Sequence, residues 1–275
     1  MSTKIPLSSI RYAYFDMDGT ILTSHGLLPT QNLQAILRLQ KAGVKIGIAT
    51  GRPHYLINQV TNAINLDLPV INNDGTEIYD LKSQKSELIG KINPQALKAL
   101  GTYFFENKLG FKAYNTNSIY AYMPNGPVEH KGNPDSANYP KIILNNLNDL
   151  IKLEIVKMMT IMWDFQEFQK VWKVFEKIPN IFLRNSDNFL LDVTPDWTSK
   201  GNALKVLQDR KIISLDQLLA FGDNENDRLM IQLAKYGVIM ENATDVLKQN
   251  AKYLAKPCAE FGVAQFINEI IDFTC

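Results

Sequence analysis

Four short segments of this chain set carboxylates, a hydroxyl and a lysine where an apolar run ends or a helix is expected to begin. The first, Asp16-Met17-Asp18-Gly19-Thr20, follows the apolar and aromatic run Ile10 to Phe15 and places two carboxylates two residues apart. At about 4 Å and an effective dielectric of about 20, two such charges repel by about 4 kcal/mol. A hard divalent cation held by oxygen ligands removes that penalty. A calcium-loop reading fails on spacing. Counted from Asp16, glycine stands at position four rather than six, and position twelve is Leu27 rather than glutamate. For this segment alone, an Asp-rich structural turn stays open as the alternative.

Thr50-Gly51-Arg52 follows the apolar run Val44 to Ala49. A hydroxyl and free backbone amides at such a turn can cradle a phosphate, although Thr-Gly after a strand is equally an ordinary turn. Lys200, in Thr198-Ser199-Lys200-Gly201, falls in the first turn of an expected helix, where the helix dipole mildly disfavours a cation. An exposed lysine is the plain reading; one aimed at phosphate oxygens would explain the placement. The fourth segment, Gly222-Asp223-Asn224-Glu225-Asn226-Asp227, again gathers acids after a short apolar run. Glu225 reads as a helix cap, and Asp223 as a strand-end residue opposite Asp16. His25, His54 and His130 are too scattered for a metal cluster, and His54 reads as a helix-surface residue. Trp163 and Trp172 are expected in an apolar core, Trp197 is ambiguous, and Cys258 reads as a small buried hydrophobe.

These segments need a scaffold that brings strand ends together. Ile10 to Phe15 reads as a buried strand. Pro29-Thr30 opens a helix with Leu33, Ile36 and Leu37 on one face and Gly43 as its stop. Val44 to Ala49 is a second strand, a helical pattern follows from Pro53, and Val70-Ile71 begins a third strand. That alternation is the rhythm of a parallel α/β sheet, and ligands bind at its carboxyl edge. It returns late in the chain: Ser199 caps a helix carrying Ala203, Leu204 and Leu207, Ser214 and Gln217 have capping-box spacing, and Leu218 to Phe221 and Val238 to Met240 read as strands. Between Leu81 and Asn188 the texture changes. Asn115 to Pro140 is rich in Asn, Gly and Pro without helical periodicity, and a loop of that length is uncommon unless functional. Glu167 to Lys177, with Phe168, Val171, Trp172 and Phe175, reads as a helix. The middle is therefore expected to be a separate α+β domain inserted into the first.

Composition narrows the class. The chain has 275 residues, 45% of them hydrophobic, and a formal net charge of +1, so nothing points to nucleic-acid or membrane-surface binding. No run approaches the roughly 18 apolar residues of a membrane span, and Met1 to Arg11 lacks the apolar core of a secretory signal. Two cysteines, Cys258 and Cys275, make neither a disulfide framework nor a zinc cluster. A cytoplasmic protein is expected; oligomeric state is unreadable.

Taken together, the order and settings of the four segments resemble the haloacid-dehalogenase-like superfamily, and more narrowly its Cof-like branch of sugar-phosphate phosphatases. Asn73-Asp74-Gly75-Thr76-Glu77-Ile78-Tyr79 and Met240-Glu241-Asn242-Ala243 are further echoes. The chain departs from the usual pattern at Asp74, where Asn is usual, at Trp197 and Glu241, where Gly is usual, and at Glu260-Phe261-Gly262-Val263, where Glu-Asp-Gly-Val is common. The resemblance implies an α/β fold with a Rossmann-like parallel-sheet core domain over residues 1–80 and 189–275, and an inserted α+β cap over 81–188 that sets substrate specificity. It implies Asp16 as nucleophile and Asp18 as general acid and base. Thr50 and Gly51 would hold the phosphoryl oxygens with Lys200, and Asn226 would reach the phosphate. Magnesium would be bound by Asp16, Asp223 and the backbone carbonyl of Asp18, with Asp227 supporting Lys200 or a metal-bound water. The function implied is a magnesium-dependent phosphatase acting on a small phosphorylated metabolite, such as a sugar phosphate, pyridoxal phosphate or flavin mononucleotide, through an aspartyl-phosphate on Asp16. A phosphotransferase or phosphomutase using the same intermediate, and a catalytically silent metal-dependent binding protein, are the alternatives. Within the expected cap, Tyr120, Tyr122, His130 and Lys131 are the candidate groups for contacting the leaving alcohol.

Overall fold

A computed structural model of the chain describes residues 4–126, 139–187, 189–249 and 251–274. The chain divides into two compact units, Met1–Ser86 with Ser199–Cys275, and Glu87–Thr198.

Unit 1 is built on a five-stranded sheet. Its strands are β2 (Tyr12–Phe15), β3 (Lys45–Ile48), β13 (Leu218–Gly222), β14 (Tyr236–Met240) and β15 (Tyr253–Ala255), in the order β15-β14-β13-β2-β3. Every pair is parallel. A parallel sheet covered on both faces needs near-continuous apolar strands, and β13 and β14 are buried throughout. The helix Thr30–Lys41 buries Asn32, Ala35, Ile36 and Leu39. Leu37, expected on the buried face, is exposed, because the face runs through positions 32, 35, 36 and 39 and leaves 37 across the helix. The pattern after Pro53 yields only a 3-10 turn, His54–Leu56, and one helical turn, Asn58–Thr61. Ser199 caps the helix Lys200–Asp209 by accepting from the Asn202 amide. Ser214 makes no such bond, and the segment it opens is a 3-10 turn, Leu215–Gln217. A short pair, β1 (Ile5–Pro6) with β16 (Ile271–Asp272), closes the periphery.

Two strand groups explain where the units divide. β4 (Val70–Asn72), β5 (Glu77–Asp80) and β6 (Lys85–Leu88) form one sheet, so the chain stays with unit 1 beyond residue 80. Unit 2 carries a six-stranded sheet of β7 (Phe111–Tyr114), β8 (Ile119–Tyr122), β9 (Lys141–Ile143), β10 (Lys157–Ile161), β11 (Ile181–Asp187) and β12 (Leu190–Pro195), in the order β11-β12-β10-β7-β8-β9. β12 is antiparallel to both β10 and β11, which keeps residues after 189 in unit 2. The expected boundaries at 80/81 and 188/189 thus fall short of the observed divisions at 86/87 and 198/199.

One face of the unit 2 sheet packs Phe111, Ala113, Met158, Leu191 and Val193 against residues of the helices Pro94–Glu106 and Phe165–Phe175. β8 lies inside the segment expected to be a loop. Tyr120 and Tyr122 pack on this core, with the Tyr122 ring 4.3 Å from that of Phe105. Both are partly buried. His130 and Lys131 lie outside the described residues. Trp172 packs as expected, whereas Trp163 is 80% exposed: it falls between β10 and the helix Phe165–Phe175 rather than on either buried face.

Candidate active site

Strand register brings the four segments to one edge of the unit 1 sheet. Phe15 is paired with Ile48 on one side and Phe221 on the other. The next residue, Asp16, donates its amide to the Phe221 carbonyl at 3.0 Å, and Ala49 donates to the Phe15 carbonyl at 3.0 Å. Asp16, Thr50 and Asp223 therefore all follow carboxyl ends of neighbouring strands. After Asp16 the chain turns back at once: the amides of Thr20, Ile21 and Leu22 all donate to the Met17 carbonyl. Gly19 has φ +80, and a Cβ there would lie 2.2 Å from Asp223 Oδ2, so this close approach tolerates only glycine.

Lys200 is the centre of the charge arrangement. It is fully buried, with Nζ 2.5 Å from Asp16 Oδ1 and 2.6 Å from Asp227 Oδ1. The surface reading of this lysine is thereby excluded. Burial alone would lower its pKa, but Asp16, Asp227 and Asp74 together raise it, which favours the charged form. Asp227 spends its other oxygen on the amides of Asp223 and Asn224, each at 3.1 Å. It closes the capping box that shapes this turn.

Carboxylate oxygens of Asp16, Asp223 and Asp227 lie within 4.8 Å of one another. Burial first, and then Asp227 and Asp223, push the Asp16 carboxyl well above the usual range despite Lys200. Asp223 is pushed up to about 7, by burial first and then by Asp227, against the pull of Lys200. One lysine among three crowded carboxylates, those of Asp16 and Asp227 buried and that of Asp223 partly so, leaves them short of positive charge, and the donors are all oxygen. That set fits a hard divalent cation such as magnesium. Thr20 Oγ1 and Asn242 Nδ2 steady Asp223, at 3.1 and 3.2 Å from Oδ1 and Oδ2, and Asn242 Nδ2 also donates to the Gly19 carbonyl at 2.9 Å.

The Thr50 turn is equally specified. Thr50 is buried, its amide donates to Ile71 O, and its hydroxyl oxygen accepts from the Arg52 amide at 3.1 Å. The hydroxyl hydrogen is thereby left to donate elsewhere. Arg52 grips Asp18 side-on, with Nε 2.8 Å from Oδ2 and Nη2 2.6 Å from Oδ1. The Asp18 side chain is half exposed and absent from the three-carboxylate cluster. Its expected metal contact was through the backbone carbonyl, not this carboxylate. Asn226 donates from Nδ2 to Asp74 Oδ1 at 2.7 Å.

Arg52, Thr20, Asn242 and Asp74 are site residues to which sequence reasoning gave no role, although each stands inside or next to a segment it singled out. Arg52 had the clearest signal, a cation directly after Thr50-Gly51. His54 opens the 3-10 turn His54–Leu56 and is not a simple surface group. Its ring stacks on Tyr79 at 4.0 Å, and Nδ1 lies 2.9 Å from a carboxylate oxygen of the buried Glu77. Glu77 also accepts from Asn73 and from Ser86.

A profile of the haloacid dehalogenase-like hydrolases matches residues 13–267. A protein of Mycoplasma pneumoniae (strain M129), itself named provisionally as a phosphatase, is 32% identical over 255 residues, covering 88% of this chain and 90% of its own. A pyridoxal phosphate phosphatase of Escherichia coli (strain K12) is 28% identical over 266 residues, covering 94% of this chain and 97% of its own. The crystal structure of a haloacid dehalogenase-like hydrolase from Bacteroides thetaiotaomicron superposes with a TM-score of 0.82 at 23% identity, over 95% of this chain and 100% of its own. With the matching profile spanning nearly the whole chain and both units, this protein belongs to the haloacid dehalogenase-like hydrolases.

Proposed function

We propose that this hydrolase is a phosphatase that removes phosphate from a small metabolite through an aspartyl-phosphate on Asp16. The observation that carries the reading is the buried Asp16–Lys200–Asp227 chain beside Thr50 and Asp223. It presents a carboxylate oxygen, a fixed cation and a hydroxyl donor at one sheet edge. Phosphoryl transfer depends largely on such positioning and charge stabilisation.

In the first step a carboxylate oxygen of Asp16 forms a bond to phosphorus, and the bond from phosphorus to the leaving oxygen breaks. Asp18 protonates that oxygen. In the second step Asp18 takes a proton from water, the water oxygen bonds to phosphorus, and the acyl-phosphate bond breaks. Asp16 is regenerated and orthophosphate released. Each oxygen of Asp18 accepts one bond from Arg52, which holds the carboxyl in place and leaves a lone pair on each oxygen for the transferred proton. Thr50, the Gly51 amide and Lys200 hold the phosphoryl oxygens, and Lys200 balances charge on Asp16. Magnesium, held by Asp16, Asp223 and the Asp18 carbonyl with Asp227 in support, would neutralise charge on the phosphoryl group.

Unit 1 is assigned the chemistry and unit 2 the choice of substrate. Sugar phosphates and pyridoxal phosphate are the substrate classes to screen first, the second because the Escherichia coli relative is named for it. The test is phosphate release from a panel of metabolite phosphates, with and without EDTA and an acceptor alcohol. Magnesium should restore activity that EDTA removes, and calcium should substitute poorly, because it favours longer bonds and higher coordination. Full activity in calcium counts against the metal assignment. Phosphorylated acceptor in place of free phosphate identifies a transferase.

A further inference from the structure

Asn73, Asp74 and Gly75 take φ values of 48, 58 and 90 in succession. Consecutive left-handed residues are unusual for side-chain-bearing positions, and such backbone persists where surrounding structure holds it. Here the holding is explicit. Asn73 and Asp74 donate their amides to the carbonyls of Arg52 and Thr50, each at 3.1 Å, and Asn72 Nδ2 donates to Arg52 O at 3.2 Å. On the other side a Cβ at Gly75 would lie 2.1 Å from Ser199 O. The turn is thus wedged between the Thr50–Arg52 turn and the start of the helix that carries Lys200.

The wedge delivers a carboxylate into the anion side of the site. Asp74 is 1% exposed. Its Oδ1 accepts from Asn226 Nδ2 at 2.7 Å and lies 3.1 Å from where a Cβ on Gly51 would be. Its charge also acts on Lys200. Thr50, Gly51, Lys200 and Asn226 are the groups assigned to the phosphoryl oxygens, and Asp74 is packed among them. Asn226 Oδ1 is buried with no hydrogen-bond partner among the described residues. The amide is therefore oriented by the single bond from Nδ2, which leaves its second N–H in a set direction.

We propose that Asp74 is a positioning residue of the phosphoryl site, which fixes the Asn226 amide and, through its charge, limits how tightly orthophosphate is held after hydrolysis. This rests on the phosphatase reading above. A buried anion beside bound phosphate opposes binding at reduced dielectric, and release of product then follows more readily.

Asp74→Asn separates the two roles, since asparagine also tolerates the left-handed turn and keeps an acceptor for Asn226 while removing the charge. Orthophosphate binding, measured by calorimetry in saturating magnesium, should tighten about tenfold or more, with KM for p-nitrophenyl phosphate falling in parallel and Tm little changed. Asp74→Ala should show the same tightening but a further loss of kcat, and that loss should vanish in an Asn226→Ala background. Should Asp74→Ala not fold, Asp74→Asn alone decides the charge role. If the wild type hydrolyses esters and the folded Asp74→Asn protein binds orthophosphate no more tightly, the role of Asp74 is overturned while the phosphatase reading stands. If tightening is seen in a protein that releases phosphate from no ester, Asp74 keeps its role and the reading of the reaction fails.

Discussion

Buried charge is arranged along different directions in the two units. In unit 1, the buried Asp16, Lys200 and Asp227 and the partly buried Asp223 come from turns after strands and from a helix start, and they converge on one point. In unit 2, Lys112, Lys157, Arg184 and Asp192 are also buried, but they sit within strands. Arg184 faces Asp192 across one strand pair, Asp192 faces Met159 across the next, and Met159 faces Lys112 across a third. Lys157 Nζ reaches Asp192 Oδ2 at 3.0 Å. Charges within strands are held at the spacing of the ladder, which favours pairing across strands. Charges at strand ends are free of that spacing and can crowd until a cation is required. Convergence, more than burial, separates a reactive site from a charged scaffold.

Lys200→Met is the severest way to break the unit 1 arrangement. It leaves Asp16 and Asp227 buried without their cation, a change that costs about 3–5 kcal/mol, and it should abolish measurable turnover. Chemical denaturation in EDTA, beside phosphate release, checks both. Lys157→Met is the matching test in unit 2. It should also destabilise, because Asp192 loses a partner, yet leave kcat/KM for p-nitrophenyl phosphate within about twofold. A large loss there would bring the unit 2 charges into the chemistry and erase the contrast.

Asp18→Asn should lower kcat by about 10²–10⁴-fold with little change in stability, since its carboxylate is half exposed. Pre-steady-state kinetics should show both formation and breakdown of the intermediate slowed. A defect in only one step would assign the other proton transfer elsewhere.

The smallest effect concerns pH. Without metal, Asp223 is pushed up from 3.8 to about 7. Between those values Asp223 holds a proton in the folded chain that it has released in the unfolded one, so its contribution to stability falls as pH rises from about 4 to 7 and then levels. In EDTA, Tm should drop by several degrees over that window, and Asp223→Asn should flatten the slope. A Tm that rises through the same window would contradict the crowded-carboxylate account.

The contrast also explains what the sequence disclosed. Asp16, Thr50 and Asp223 were legible because each directly follows a short apolar strand, and in a parallel sheet strand ends alone bring such residues together. Lys200 was legible by its place in the first turn behind the Ser199 cap, where an ordinary lysine is mildly disfavoured. The grip of Arg52 on Asp18 was not, since a long side chain beside a turn can reach several partners. Asp74 was hidden for another reason: its direction depends on successive left-handed residues that no periodicity announces. In unit 2, β8 was obscured by the Asn- and Gly-rich residues flanking Ile119–Tyr122. Trp163 was misplaced because a large apolar residue need not be buried.

The central claim is that Asp16 becomes covalently phosphorylated. Acid quenching during turnover of p-nitrophenyl phosphate, followed by borohydride reduction and tryptic mass spectrometry, tests it most directly. The peptide from Tyr12 to Arg38 contains only two acidic residues, Asp16 and Asp18, and reduction of an acyl-phosphate turns the modified aspartate into homoserine. The account predicts homoserine at position 16, dependent on substrate and magnesium, in the wild type and none at that position in Asp16→Asn, whose kcat should fall at least about 10⁴-fold. Homoserine at position 18 instead, or an Asp16→Asn protein that keeps a few per cent of wild-type turnover, would contradict it.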